Sequence, residues 1–190
     1  MKLKRVSLFL LLIILTGCVK YTPDKEKITT LVSEVFRVAH TETNTSAGLY
    51  NFYLPVGMAL KEKKDINNII SYKGSKFYLY VNIVGFHYQT KYSYKLADNA
   101  FLKAKFNENS YLQIFEMGKD KYFVEMSYNY GKVEAIVDEA ILTEAIVNMA
   151  VILNSIQYNE AYIKKTLDDK GYSSYEKIID KFRPNSRDIY

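Results

Sequence analysis

A single cysteine, Cys18, stands in a chain of 190 residues. Without a second thiol an internal disulfide is excluded, so burial and hydrogen bonding must hold the fold. Histidine is almost as scarce. His40 and His87 fall in different expected elements, and neither has a histidine or an acid four residues away, so no metal site is expected. Only eight glycines occur, none in a GxGxxG or Walker pattern, which removes the phosphate-cradling loops and leaves no cofactor to expect. Tryptophan is absent, while tyrosine occurs 18 times.

The N-terminus is the most informative stretch. Lys2, Lys4 and Arg5 precede an apolar run from Val6 to Leu15 that only Ser7 interrupts. At about ten residues this run is too short for a bilayer core, which needs about 20, and has the length of a secretory signal. Leu15, Thr16, Gly17 and Cys18 follow: an aliphatic residue, two small residues that let a peptidase reach the bond, and the cysteine. The four resemble the bacterial lipoprotein lipobox at every position. The resemblance implies removal of residues 1–17 and a diacylglyceryl group on Cys18, with Leu15, Thr16 and Gly17 as the signal peptidase recognition residues. Two acyl chains, at about 0.8 kcal/mol per buried methylene, give lasting attachment where one is marginal. The expected partner of Cys18 is therefore the membrane, and the expected location is its extracytoplasmic face. A secreted protein with one stray thiol is the alternative, disfavoured in an oxidising compartment.

Removing residues 1–17 takes three of the 26 basic residues, leaving 23 against 21 acidic ones, a net charge of +2 on 173 residues. That length suits one domain with its own core. Basic and acidic residues are interspersed, so no nucleic-acid footprint is present. Tyrosine suits strands with one packed and one wet face. Its abundance reads as a tyrosine-rich sheet, and as a carbohydrate- or peptide-binding surface in the alternative.

Along the mature chain, residues 18–23 form a lipidated tether, 24–158 a globular domain and 159–190 a helical extension. Thr22 and Pro23 open a helix in which Ile28, Leu31, Val32, Val35, Phe36 and Ala39 form one apolar stripe. Strands are expected at 49–54, 58–63, 67–73, 76–84, 111–117, 121–129 and 132–136. They are joined by hairpins at Lys73-Gly74, at Met117 to Asp120 and at Asn129-Tyr130-Gly131, with glycine supplying positive φ. Tyr88 to Asn109 has no clear period and is left with one strand or short helix near 96–104. Asp138 is placed as the cap of a long apolar helix over 139–155. Two shorter helices are expected near 160–169 and 174–183. The fold class is α+β: an antiparallel β-sheet packed by an N-terminal amphipathic helix and a long apolar C-terminal helix, with extra short helices at the C-terminus.

Two phrases, Tyr53-Leu54-Pro55-Val56-Gly57 and Ile152-Leu153-Asn154-Ser155-Ile156, resemble the corresponding turns of the Mog1/PsbP/DcrB-like fold over residues 24–158. That resemblance implies a helix, a twisted antiparallel sheet and a long C-terminal helix across it, with accessory or assembly roles. Residues 159–190 have no counterpart in it.

No catalytic residue is assigned. His40 reads as a solvated residue at a helix C-terminus, where an imidazolium favours the dipole. His87 reads as a strand-end residue that lacks a nucleophile. Ser174 and Lys177 match a Ser-x-x-Lys spacing and Ser127-Tyr128-Asn129 a Ser-x-Asn element. Their order is reversed, however, and no Lys-Thr-Gly follows. Asp138-Glu139 and Asp168-Asp169 read as caps or solvated charge. The leading expectation is a non-enzymatic lipoprotein that binds an envelope protein or other component at the outer face of the cytoplasmic membrane. A cell-wall or small-molecule hydrolase or ligand-binding protein is the first alternative, with a tyrosine pocket and a converging carboxylate or histidine. An envelope stress or immunity factor is the second.

Overall fold

The computed structural model describes residues 22–170. Period-two alternation in the middle of the chain produces seven strands: β3 (Ala59–Glu62), β4 (Asn67–Tyr72), β5 (Ser75–Val81), β6 (Leu102–Asn107), β7 (Ser110–Gly118), β8 (Lys121–Tyr128) and β9 (Gly131–Asp138). They form one antiparallel sheet in the order β3-β4-β5-β9-β8-β7-β6. Tight hairpins make every neighbour pair except β5–β9, which joins the β6–β9 meander to the β3–β5 one. β1 (Thr45–Ser46), β2 (Tyr50–Phe52) and β10 (Gln157–Tyr158) make a small second sheet.

One face of the large sheet is apolar and carries the helices. Phe77, Leu79, Val124, Met126, Val133, Ala135 and Val137 line it, all buried. α1 (Lys25–Arg37) begins later than the expected opening at Thr22 and Pro23, because Asp24 is its cap: the Asp24 carboxylate accepts from Lys27 N at 3.0 Å, and the helix buries Ile28 and Val32. α3 (Leu142–Asn154) packs on α1 and across β8 and β9. Its end is clamped from two sides, by the α1 terminus and by Tyr53. Asn154 Nδ2 donates to the Val35 and Val38 carbonyls of the α1 terminus, each at 2.7 Å, and satisfies acceptors the helix leaves open. Ser155 Oγ donates to Ile152 O at 2.9 Å and accepts from Tyr53 N at 2.8 Å. The two phrases singled out above thus meet through Tyr53 and Ser155. Within the first, Pro55 O accepts from Met58 N at 3.1 Å in a turn whose third residue, Gly57, sits at φ 85°.

Several expectations are corrected. The long apolar helix over 139–155 is absent: Glu139–Ile141 form a 3₁₀ turn, and α3 is 13 residues long. Asp138 makes no side-chain cap; its carboxylate accepts from Lys121 Nζ at 2.5 Å across β8 and β9. β5 stops at Val81 instead of running to 84, because Asn82 caps a short helix, α2 (Ile83–His87), through Gly85 N at 2.8 Å. In the 96–104 region residues 96–101 are loop, and the strand expected there, β6, begins at Leu102. In the Asn129-Tyr130-Gly131 turn the left-handed residues are Asn129 (φ 48°) and Tyr130 (φ 58°), so Gly131 is not there for positive φ. A Cβ on Gly131 would stand 2.6 Å from Ile156 Cδ1 and 2.7 Å from Leu153 Cδ2, so this glycine lets the end of α3 approach the sheet.

α4 (Glu160–Lys170) follows β10 and contacts α2; its Ile163 and Leu167 belong to the main core cluster. The helix expected near 174–183 lies outside the described residues.

Candidate functional site

The face of the sheet turned away from the helices carries the ionisable groups. Register places Tyr78, Glu134, Glu125 and Gln113 in one transverse row over β5, β9, β8 and β7. Tyr80, Lys132, Ser127 and Tyr111 form the next. Glu134 is only 5% exposed and accepts from Lys132 Nζ at 2.5 Å. Glu125 accepts from the Tyr111 hydroxyl and from Gln113 Nε2, the latter at 3.0 Å. Burial pushes the Glu134 carboxyl above the usual carboxylate range, Lys132 pulls it back, and Glu125, within hydrogen-bonding reach, pushes it up again. The Tyr111 phenol is raised by burial and then by Glu125.

Residues 88–101 lie over this layer. Their backbone is pinned where Ala97 N donates to Gln113 Oε1 at 3.1 Å and Tyr92 N to Asn109 Oδ1 at 2.8 Å. The Tyr94 ring packs on Tyr111, centroids 4.6 Å apart, and the Tyr92 hydroxyl accepts from Asn82 Nδ2 at 2.7 Å. The phenols of Tyr80 and Tyr94 are both raised by burial. A polar layer with nearly every group paired is therefore closed between sheet and cover.

Two clefts open beside the cover. One, of about 580 Å³, lies between Lys91 to Ser93 of the cover and Lys105 to Glu108 at the end of the edge strand β6. The other, of about 480 Å³, lies between Phe86, His87 and Gln89 on one side and Glu160, Ala161 and Lys164 of α4 on the other.

His87 belongs to the last turn of α2 and not to a strand end, with its ring edge-on to Tyr88 at 4.7 Å. No hydroxyl or thiol nucleophile is among the residues lining its cleft. His40 is half-buried three residues beyond α1, its Nδ1 3.2 Å from Glu42 O and its ring 5.1 Å from Tyr53. Ser127 Oγ donates to Gly131 O at 3.2 Å and Asn129 Nδ2 to Ile156 O at 3.1 Å, so both serve the hairpin. Leu15, Thr16, Gly17, Cys18, Ser174 and Lys177 lie outside the described residues. Asp168 is exposed on α4. Among the described residues no three His, Cys, Asp or Glu side chains are grouped to hold a metal ion.

No family model, no curated protein and no solved structure matches this chain. Its site is therefore read from its own residues. The Glu125–Glu134 pair was missing from the sequence reading, yet its signal was present there: a turn at Asn129-Tyr130 that pairs Tyr128 with Gly131 sets Glu125 opposite Glu134 three residues down each strand. Among the described residues no helix is long and apolar enough to cross a membrane.

Proposed function

We propose that this chain is a lipid-anchored extracytoplasmic module, tethered through Cys18 and acting by binding an envelope component without turning it over. The observation that carries the reading is the lipobox at Leu15 to Cys18, placed five residues before the Asp24 cap of α1. Those five residues reach at most about 18 Å at full extension, so the body stands close to the lipid. α1 begins beside Phe101, over whose ring Lys25 Nζ sits at 4.0 Å, and ends where Phe36 stacks on Tyr128, centroids 3.9 Å apart. The tether therefore enters towards the pole of the 73–74 and 118–120 turns, and both clefts open towards the other pole. In this reading α1 and α3 form the helical layer of the body, and residues 159–190 are an extension whose first helix, α4, is seated on the core. The accessory roles implied by the Mog1/PsbP/DcrB-like resemblance accord with such a module.

Mass spectrometry of the mature N-terminus and membrane fractionation test it. The parent is expected at the membrane with a diacylglyceryl mass on Cys18, and Cys18→Ala unprocessed or released. A Cys18→Ala chain processed and sedimenting like the parent overturns the anchor. The Glu125–Glu134 pair favours one rival, a hydrolase, which requires residues 88–101 to lift. That rival predicts a turnover lost in Glu134→Gln, and the binding reading predicts none to lose.

A further inference from the structure

The cleft between Lys91 to Ser93 and Lys105 to Glu108 has walls fixed before any ligand arrives. Tyr92 is held at its main-chain N by Asn109 and at its hydroxyl by Asn82, and a Cβ on Gly85 would strike that hydroxyl at 2.6 Å. Phe106 stands edge-on to Phe36, centroids 5.2 Å apart. Asn107 Oδ1 accepts from Asn109 N at 2.8 Å, which leaves its amide NH₂ for a visitor. Lys91 and Lys105 both line the opening, and both are exposed. Lys73, Lys103, Lys121 and Lys132 each have a carboxylate within ion-pair distance; among the described residues, Lys91 and Lys105 have none. Its volume lies within the roughly 300–1,000 Å³ of small-ligand sites. β6 carries it about 17 Å beyond the tether entry, five strand steps at about 3.3 Å each.

We propose that this cleft binds a phosphodiester-linked polyol or sugar chain of the envelope. The proposal rests on the binding reading above and names its ligand class. The two ammonium groups take successive phosphates as point charges. Ser93, Asn107 and Glu108 meet the hydroxyls; a carboxylate there accepts from a polyol and repels a bare phosphate polymer. The ring of Tyr92 takes the C–H surface beside the charges.

The test is calorimetric titration of the detergent-purified full chain with a glycerol-phosphate tetramer. Maltotetraose and inorganic polyphosphate serve as the neutral and hydroxyl-free arms. Phosphatidylglycerol vesicles, offered to a Cys18→Ala chain made without residues 1–17, separate a lipid headgroup from a soluble polymer. Saturable binding of the tetramer is expected, weakened about tenfold or more when Lys91→Gln and Lys105→Gln are combined, as loss of two charge-assisted contacts requires. It should weaken at high salt and be unmoved by Lys63→Gln, an exposed lysine outside the cleft. All variants should share one melting midpoint. No binding of the tetramer, equal binding by the double variant, or tighter binding of any control arm overturns the proposal. The two readings fail separately: a Cys18→Ala chain that is processed like the parent and stays on membranes but binds the tetramer sinks only the anchor, and an anchored chain that ignores the tetramer sinks only the cleft.

Discussion

Glu134 is the one buried carboxylate among the described residues. Its carboxyl is raised by burial, so the folded state holds a proton that the unfolded chain releases at lower pH. The stability this group confers is therefore full below the ordinary carboxylate range and falls as pH rises through its raised value. Lys132, Glu125 and Tyr111 face it, and only Lys132 opposes the shift. Glu134→Gln should flatten the decline of the melting midpoint above the carboxylate range; parent and variant curves that run parallel would show that another group titrates. Asn67 presents the opposite case. It is 1% exposed on the same face, opposite Tyr80, and both its amide atoms lack a partner among the described residues. An unpaired buried polar group costs about 1–3 kcal/mol, so Asn67→Leu should raise the midpoint by a few degrees, roughly 2–4 °C per kcal/mol at this chain length. A fall in the midpoint instead would mean that a buried water holds the amide. Neither residue stood out in the sequence as a candidate, because an acid or amide in a strand normally faces water.

At the scale of elements, legibility follows local signal. The hairpins at 73–74, 118–120 and 129–130 were readable from turn residues, and alternation gave the β4, β5 and β7–β9 runs. α2 was not, because Ile83-Val84 continues the apolar alternation of β5 and only the Asn82 side chain turns the chain into a helix. The 88–101 cover has no period because its residues alternate irregularly between tyrosine contacts below and water above. α3 was read too long because Ala140 and Ile141 fit its apolar run, although Leu142 is the first residue with α-helical bonding. Gly131 carries a property that no turn rule supplies. Its missing side chain is the space into which Leu153 and Ile156 pack, so Gly131→Ala should overpack that contact. A loss of about 1–3 kcal/mol is expected, measurable by urea unfolding, with the Asn129-Tyr130 turn left intact. A neutral Gly131→Ala would show that the end of α3 slides freely on the sheet.

For the whole molecule, the proposed tether and the direction of α1 together predict an orientation. The body has a near pole, with the 73–74 turn and the Pro55 to Met58 turn whose Val56 is 91% exposed. The far pole has the 63–65 loop and the 129–130 turn. β4 separates them by about 17–20 Å, six residues at about 3.3 Å each. Single cysteines at Val56 and at Lys63, both exposed, can carry a donor dye against an acceptor in the lipid headgroups. If Cys18 holds the chain to the bilayer, transfer from position 56 should exceed that from position 63, and detergent should abolish the difference. Equal transfer from both would mean that the body rolls freely on its tether, so that neither cleft is presented away from the lipid. Stronger transfer from position 63 would place the Lys91–Lys105 cleft against the membrane, where anionic headgroups, and not a polymer beyond them, would be its partner.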